Sequence, residues 1–420
     1  MQKRAFWPKS KLLTYQNKKV REIVQYAYDN VPYYHNLMKQ KGVRPNEIRS
    51  VQDLKKLPIL RKDDVRKNYE LMVSKKFNVS KLKQRRTSGS TGEPLRFYVS
   101  NSEDEYRKAK HLRASMSCGQ KTRDKWVVVT SPMYFQQTTK LQDLVGFFPI
   151  NSVSVFDDVS TQIKRISSLQ PDVLDGYASS ILLLAKEIDR TGTNLIKPRL
   201  LVSGADLIDG PSREYVESVF DAPFYDQYGC AELERLASQC TEKDGYHIDA
   251  DSVVMEFLDE DGEEVSPGEL GEIVCTSLFN YAMPFIRYAV GDVGKALTHD
   301  CGCGRTLPLM DMLEGRKDAI ITLPDGRSLS SFAFIAGMYQ LSFYDKIEKF
   351  RVIQKSVDHF MFLLDLKDKA IESVAEKEIV AHFCKIFNLN IDEIFFDVEF
   401  VDHIPLDKNG KFQILISEIN

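Results

Sequence analysis

The apolar positions of the chain change period several times. From about Leu12 to Val73 they recur every three or four residues, most regularly in LTYQNKKVREIVQYAYDNVPYYHNLMKQKG. That spacing predicts helices, broken at Pro32 and again at Pro58, with Asp63 capping the helix that follows. Over Leu82 to Thr87, and again over LRFYVS after Pro94, the period shortens to two, so a strand, a loop and a strand are expected, with no helix directly after the loop. Between Glu103 and Pro223, strand-like runs (KWVVVTS, KPRLLVSGAD) alternate with helical ones (SSILLLAKEIDRTG, GPSREYVESVF), which predicts an α/β sheet layered with helices. From Gly245 to Ala296 short alternating strands dominate, with Asp261-Gly262 as a hairpin turn. From about Ala319 strand, helix and strand segments predict a small α+β domain.

Composition narrows this little. A chain of 420 residues, 43% hydrophobic and 28% charged, suits a globular protein of two or three domains. A net charge of -3 leaves no basic excess for a phosphate backbone, so nucleic acid is not expected as a partner. No apolar run reaches the ~18 residues of a membrane span, and a cytoplasmic location is the expectation. Seven cysteines, an odd number thinly spread, argue for reduced thiols rather than a disulfide framework.

The chemistry is scattered. Thr87, Ser88, Gly89, Ser90, Thr91 and Gly92 offer hydroxyl and backbone N–H donors to phosphate oxygens, with Arg85 and Arg86 beside them. A solvated hairpin turn is the competing reading. The loop has neither the G-x-x-x-x-G-K-[ST] pattern nor the G-x-G-x-x-G fingerprint. Further on come SGAD (203–206) at a strand end, YDQYGCAELE (225–234) with Glu232 after a short strand, and FIRYAVGDVG (285–294), which ends another strand with Asp292 on a Gly-flanked turn. EGRKDAI (314–320) and IPLDKNGKF (404–412) follow, and each of these stretches alone reads equally well as a turn. Cys240 and His247 form C-x6-H, and Cys301 and Cys303 form C-x-C; four such ligands suit a closed, structural Zn²⁺ site, with chance spacing as the alternative. His299 is the second-choice ligand, and Cys230 reads as a packed thiol.

Taken in order, TSGSTGEP, SGAD, YGCAE, RYAVGD, GRKD and the late NGK resemble the adenylate-forming superfamily of acyl-coenzyme A ligases, condensation-domain adenylation enzymes and luciferases. VPYYHNLMKQKGVRPNEIRSVQDLKKLPILRKDDVRKN and CGCGRTLP resemble its phenylacetate-coenzyme A ligase branch, especially relatives linked to capsular-polysaccharide biosynthesis. The resemblance runs from about residue 20 to 415.

It implies an α/β fold: a large multi-layer domain over 1–315 with α/β sheets, a β-rich subdomain and a helical part at 1–80, a hinge at 316–318 around Asp318, and a small mobile α+β lid over 319–420. It implies ATP-dependent activation of a small carboxylic acid as acyl-AMP, with release of pyrophosphate and transfer to coenzyme A or another thiol. On this resemblance the 87–92 loop holds phosphates and Glu232 holds Mg²⁺. Tyr228, with Gln227 and Gly229, meets the adenine, which Gly204, Ala205 and Asp206 line. Asp292 and Arg316 hold the ribose, and Lys411 is the catalytic cation. The four zinc ligand positions also occur in this branch. Tyr134 and Tyr177 fall where the acyl pocket is expected.

Two departures stand out. Ala231 replaces the usual Thr or Ser, and TLPDGRSLSSFAFIAGMYQL lacks a longer turn common in thioester-forming members, so coenzyme A stays open as acceptor. Direct transfer to an amine or sugar in surface-polysaccharide biosynthesis, and a silent AMP-binding scaffold, are the alternatives; a scaffold has no need of Glu232, Asp292, Arg316 and Lys411 together. A homodimer is left open.

Overall fold

The structure, a computed structural model, describes residues 2–87, 95–135, 138, 140–192, 195–204, 208, 210–312, 320–338, 340–390, 394–404 and 414–419. The opening periodicity becomes α1 (Lys9–Asn30) and α2 (Pro32–Lys41). The break falls at Val31, held extended by the proline that starts α2. α1 buries Leu12, Val20, Ile23, Val24 and Ala27, the stripe its spacing predicts. In α3 (Lys62–Lys67) the expected Asp63 cap is corrected: the Asp64 carboxylate accepts from the Arg61 N–H at 2.9 Å, while Asp63 pairs with Arg66 at 2.6 Å. A carboxylate reaches back to the cap from the third helical position, not the second.

β1 (Lys83–Arg86) and β2 (Arg96–Val99) form the predicted antiparallel hairpin. α4 (Asn101–Ser117) follows at once, its start closed by Ser100 and Glu103. Its buried face is unusual: Glu103, Asp104, Arg107, Lys110 and Arg113 all lie inside. Arg113 is balanced there by Asp249 at 2.5 Å and Asp251 at 2.7 Å.

The middle of the chain builds β3 (Trp126–Thr130), α5 (Lys140–Val145), β4 (Ile150–Ser154), α6 (Val159–Leu169), β5 (Val173–Gly176), α7 (Ala178–Thr191), β6 (Leu200–Gly204) and α8 (Gly210–Phe220). The strands lie parallel in the order β6-β5-β3-β4. β3 leads to β4 on one side and β5 to β6 on the other, so the connections diverge at the carboxyl ends of β3 and β5, where open α/β sheets bind ligands.

β7 (Phe224–Cys230), β8 (Glu234–Ser238), β9 (Tyr246–Ile248), β10 (Val253–Leu258), β11 (Gly271–Ser277), β12 (Tyr288–Leu297) and β13 (Leu309–Met312) follow, antiparallel in the order β10-β11-β12-β13-β9-β8-β7. The Asp-Gly turn is present, with Gly262 at φ 81° and Asp259 N–H bonded to Glu263 O. The tail holds β14 (Ile320–Thr322), β15 (Ser328–Ser330), α9 (Ser331–Met338), β16 (Ile347–Ser356), β17 (His359–Leu366), α10 (Glu372–Phe387), β18 (Phe395–Phe400) and β19 (Leu415–Ser417). Its sheet runs β18-β17-β16-β19.

Two compact units result, and neither is one stretch of chain. The first is Met1–Thr87, Leu95–Gly119 and Tyr225–Leu313; the second is Ser88–Pro94, Gln120–Phe224 and Glu314–Asn420. Val20, Leu54, Phe97, Leu236, Ile273 and Tyr288 belong to the core of the first. In the second, the tail shares one apolar core with the parallel sheet: Phe334 stacks on Phe360 at 4.9 Å and Phe387 meets Phe156 at 6.1 Å. The hinge expected at 316–318 lies outside the described residues. Among the described residues no helix is long and apolar enough to cross a membrane.

Candidate functional site

The β7–β8 hairpin places Glu232. Gly229 is where the two strands come closest: a Cβ there would lie 2.4 Å from the Glu234 carbonyl oxygen, so only glycine lets the turn close. Cys230 then pairs with Glu234, whose backbone is left-handed at φ 63°, and Ala231, Glu232 and Leu233 form the turn. Glu232 is 2% exposed, and its Oε1 accepts a hydrogen bond from the Tyr288 hydroxyl. Burial first, and the Glu232 charge second, push the Cys230 thiol well above its ordinary value, so it stays a packed thiol, as expected.

Beside this turn, the Tyr228 hydroxyl donates to Asp292 Oδ2 at 2.9 Å. Burial and then the Asp292 charge raise the phenol well above its usual range, which keeps it a donor. Asp292 does not end a strand, a correction to the sequence reading. β12 continues past it, and the pairing with β11 jumps from Val274–Ala289 to Glu272–Val293, so Asp292 sits on an exposed bulge with Gly291 at φ +96°. Gln227 is buried, its Nε2 donating to Ser115 Oγ at 3.3 Å, while its Oε1 has no hydrogen-bond partner among the described residues.

Other predicted residues fall elsewhere. Thr87 locks the base of its loop, its Oγ1 accepting from the Leu95 N–H at 2.8 Å. Gly204 ends β6. Tyr177 is buried at the end of β5, its hydroxyl 3.3 Å from Thr130 Oγ1 at the end of β3; Tyr134 is exposed in the turn after β3. Both tyrosines therefore stand at the point where the parallel strands' connections diverge. Ser88, Gly89, Ser90, Thr91, Gly92, Ala205, Asp206, Arg316, Asp318 and Lys411 lie outside the described residues. Sequence reasoning missed Tyr288, Arg107, Lys110 and Asn280 around Glu232, and Thr130 beside Tyr177. Their types occur throughout cores and surfaces, and only the folded geometry marks them.

The four metal-ligand candidates do converge. Cys240 follows β8, His247 lies in β9, and Cys301 and Cys303 lie between β12 and β13; their ligand atoms are all within 4.8 Å of one another. Cys240 Sγ is 3.5 Å from Cys301 Sγ, and Cys303 Sγ is 3.3 Å from His247 Nε2. Those edges suit a tetrahedron with Zn–S near ~2.3 Å and Zn–N near ~2.0 Å, so the donor set fits zinc. Burial, then the Arg305 charge, lower the His247 imidazole to about 4, leaving it in the neutral form that ligates. His299 Nε2 instead meets Asp244 Oδ1 at 2.9 Å outside the cluster, which corrects its standing as a second-choice ligand.

No family model matches the chain. Among curated proteins, phenylacetate-coenzyme A ligase of Pseudomonas putida is 30% identical over 324 residues, 74% of this chain and 72% of that protein. This chain belongs to the phenylacetate-coenzyme A ligase family. The Thermus thermophilus ligase is 26% identical over 325 residues, 75% of this chain and 73% of its own length. Protein CapK of Staphylococcus aureus, at 24% identity over 436 residues, covers 97% of this chain and 90% of its own. Among solved structures, a 2-hydroxyisobutyryl-CoA ligase in complex with 2-HIB-AMP and CoA has the same fold, with a TM-score of 0.68 at 18% identity over 98% of this chain and 91% of that one. The α/β class read from the sequence holds.

Proposed function

We propose that this ligase activates a small carboxylic acid with ATP and passes the acyl group to coenzyme A or another thiol. In the first step a carboxylate oxygen attacks the α-phosphorus in line, the bond to the β-phosphate breaks, and pyrophosphate leaves. In the second the acceptor sulfur attacks the acyl carbon, AMP leaves, and the thiol proton passes to solvent. Such chemistry depends on positioning and charge neutralisation more than on covalent help.

The observation that supports this reading best is the buried Glu232 carboxylate on its turn, with the Tyr228–Asp292 pair in the same unit. Tyr288 occupies one Glu232 oxygen and leaves the other for a cation, and Mg²⁺ suits a site of one or two carboxylates completed by phosphate oxygens. Bound there, Mg²⁺ would neutralise phosphate charge. Tyr228 meets the base and Asp292 accepts from the ribose hydroxyls. The phosphate role of residues 87–92, the ribose role of Arg316, the catalytic role of Lys411 and the lid motion about Asp318 follow the family resemblance. The acid binds where β3 and β5 end, against Tyr177, Thr130 and Tyr134.

The test is acid-dependent exchange of pyrophosphate into ATP across a panel of small aromatic, hydroxy and amino acids, followed by addition of coenzyme A. Exchange with one acid, and consumption of coenzyme A, is expected. Silence with every acid while AMP still binds would overturn the proposal and favour a scaffold. Direct transfer to an amine or sugar is the alternative that the sequence leaves open. Exchange without coenzyme A consumption, with product formed only on adding an amine or sugar, would mark it.

A further inference from the structure

Resting on the reading of Glu232 as the cation-side carboxylate, we propose that Arg107 and Lys110 of α4, together with Asn280, are positioning residues that hold the Glu232 turn by its three carbonyl groups. Arg107 Nη2 donates to Ala231 O, and its Nη1 donates to Glu232 O at 2.9 Å. Asn280 Nδ2 adds a second donor to Glu232 O at 3.2 Å, and Lys110 Nζ donates to Leu233 O at 3.2 Å. Every carbonyl between β7 and β8 is therefore held by a side chain from elsewhere in the chain.

The clamp is itself fixed. Arg107 and Lys110 are three apart, so they share a face of α4, the face packed on β8. Lys110 Nζ stands 4.7 Å over the Phe279 ring, and Arg107 also pairs with Glu234 at 3.2 Å. Asn280 Oδ1 accepts from Ser277 Oγ at 2.8 Å, which turns its Nδ2 toward the turn.

Buried carbonyls need partners, but neutral donors serve that need at less desolvation cost than a buried ammonium. Lys110 is nevertheless fully buried, and burial lowers it to about 8 against the raising charges of Asp249 and Glu234. Arg113 and Arg107 face it with the opposite effect. A cation kept there at such cost is explained by what it touches. Among the described residues the Glu232 carboxylate has one hydrogen-bond partner, Tyr288, so where it points depends on where its backbone is held. Clamp and carboxylate together make a rigid site on strands and a helix, backed by outer hydrogen bonds.

The experiment uses the full chain with ATP and Mn²⁺ as the metal probe, reading free Mn²⁺ by electron paramagnetic resonance. Pyrophosphate exchange and thermal unfolding are followed on the same samples, for Lys110→Met, Asn280→Ala and Glu232→Gln. Lys110→Met keeps the stem and removes the donor. Losing an outer partner of a metal ligand is expected to weaken Mn²⁺ binding and lower kcat by about 10-fold, with KM for the acid within about twofold. A merely structural role would lower the melting temperature and the folded fraction, while folded molecules kept their Mn²⁺ affinity. Wild-type affinity and kcat in both clamp variants, with loss in Glu232→Gln, overturns the inference alone. Wild-type affinity in Glu232→Gln overturns the reading of Glu232 and the inference with it. If Lys110→Met does not fold, Asn280→Ala decides by the same criteria.

Discussion

Tyr288 stands four residues before Asp292 in one strand, and each contributes to a different pair: Tyr288 to Glu232, Asp292 to Tyr228. Replacing Tyr288 by Phe leaves a buried carboxylate oxygen without its donor, which costs about 1–3 kcal/mol. Urea unfolding at neutral pH is expected to show that loss, and pyrophosphate exchange is expected to slow on the order of 10-fold because an aimed charge has lost its support. An unchanged urea midpoint would count against the bond. His111 gives a second residue-scale expectation. Burial first, and the Arg235 charge second, depress it to about 4, and its Nδ1 lies 3.0 Å from Arg235 Nη2, so the folded state holds it neutral. The unfolded chain titrates near ~6.5 and binds the proton first. The associated stability is therefore complete above that value and is lost as pH falls from there toward 4. In His111→Gln the pH slope of unfolding free energy across that window is expected to shrink by about one proton; an unchanged slope would refute it. Neither residue announced itself in the sequence. Glu232 and Asp292 could be read because turn-forming glycines flank them in a set whose order matters. Tyr288 looked like any core aromatic.

At the scale of elements, the β7–β8 hairpin is the part most fully legible. Gly229 marks a close approach, and Glu232 follows it just past a short strand, as the sequence reading has it. Gly229→Ala tests whether that glycine is there for space. Its Cβ would meet the Glu234 carbonyl, a backbone group that cannot swing aside, so the hairpin must shift. Overpacking of this kind costs about 1–3 kcal/mol, and exchange activity is expected to fall further than the stability loss alone explains, because the shift moves the turn itself. Wild-type activity and melting would show that the turn tolerates the methyl. The bulge in β12 and the buried face of α4 were less legible. A bulge depends on register with β11, which no single strand's sequence encodes. YRKAKHLR reads as a solvated face because buried charges are rare, and here they are buried because Asp249, Asp251, Glu234 and the hairpin carbonyls lie opposite.

At the scale of the whole molecule, chain order hides the grouping. The sequence suggests a break near residue 316, yet the first unit gathers three separate segments and the tail shares its core with the parallel sheet, an outcome of long-range pairing that periodicity cannot carry. The cysteine and histidine spacing did carry, because ligands need only reach one centre. That centre ties the far end of β8, through Cys240, to β9 and to the connection between β12 and β13. β8 begins at Glu234, so the same strand runs from the Glu232 turn to the metal cluster. Zinc is therefore expected at one ion per chain in purified protein, and its removal is expected to loosen the strand that supports the turn. Chelation, or Cys303→Ser, should lower the melting temperature by about 5 °C or more, since binding energy at a closed structural site is folding energy. Activity should fall with the folded fraction and return when zinc is restored to the wild type. Acid should release the ion, because thiolates and imidazole must shed protons to bind it. Purified protein without stoichiometric metal, melting at the same temperature with and without chelator, would show that the four side chains meet without a zinc ion.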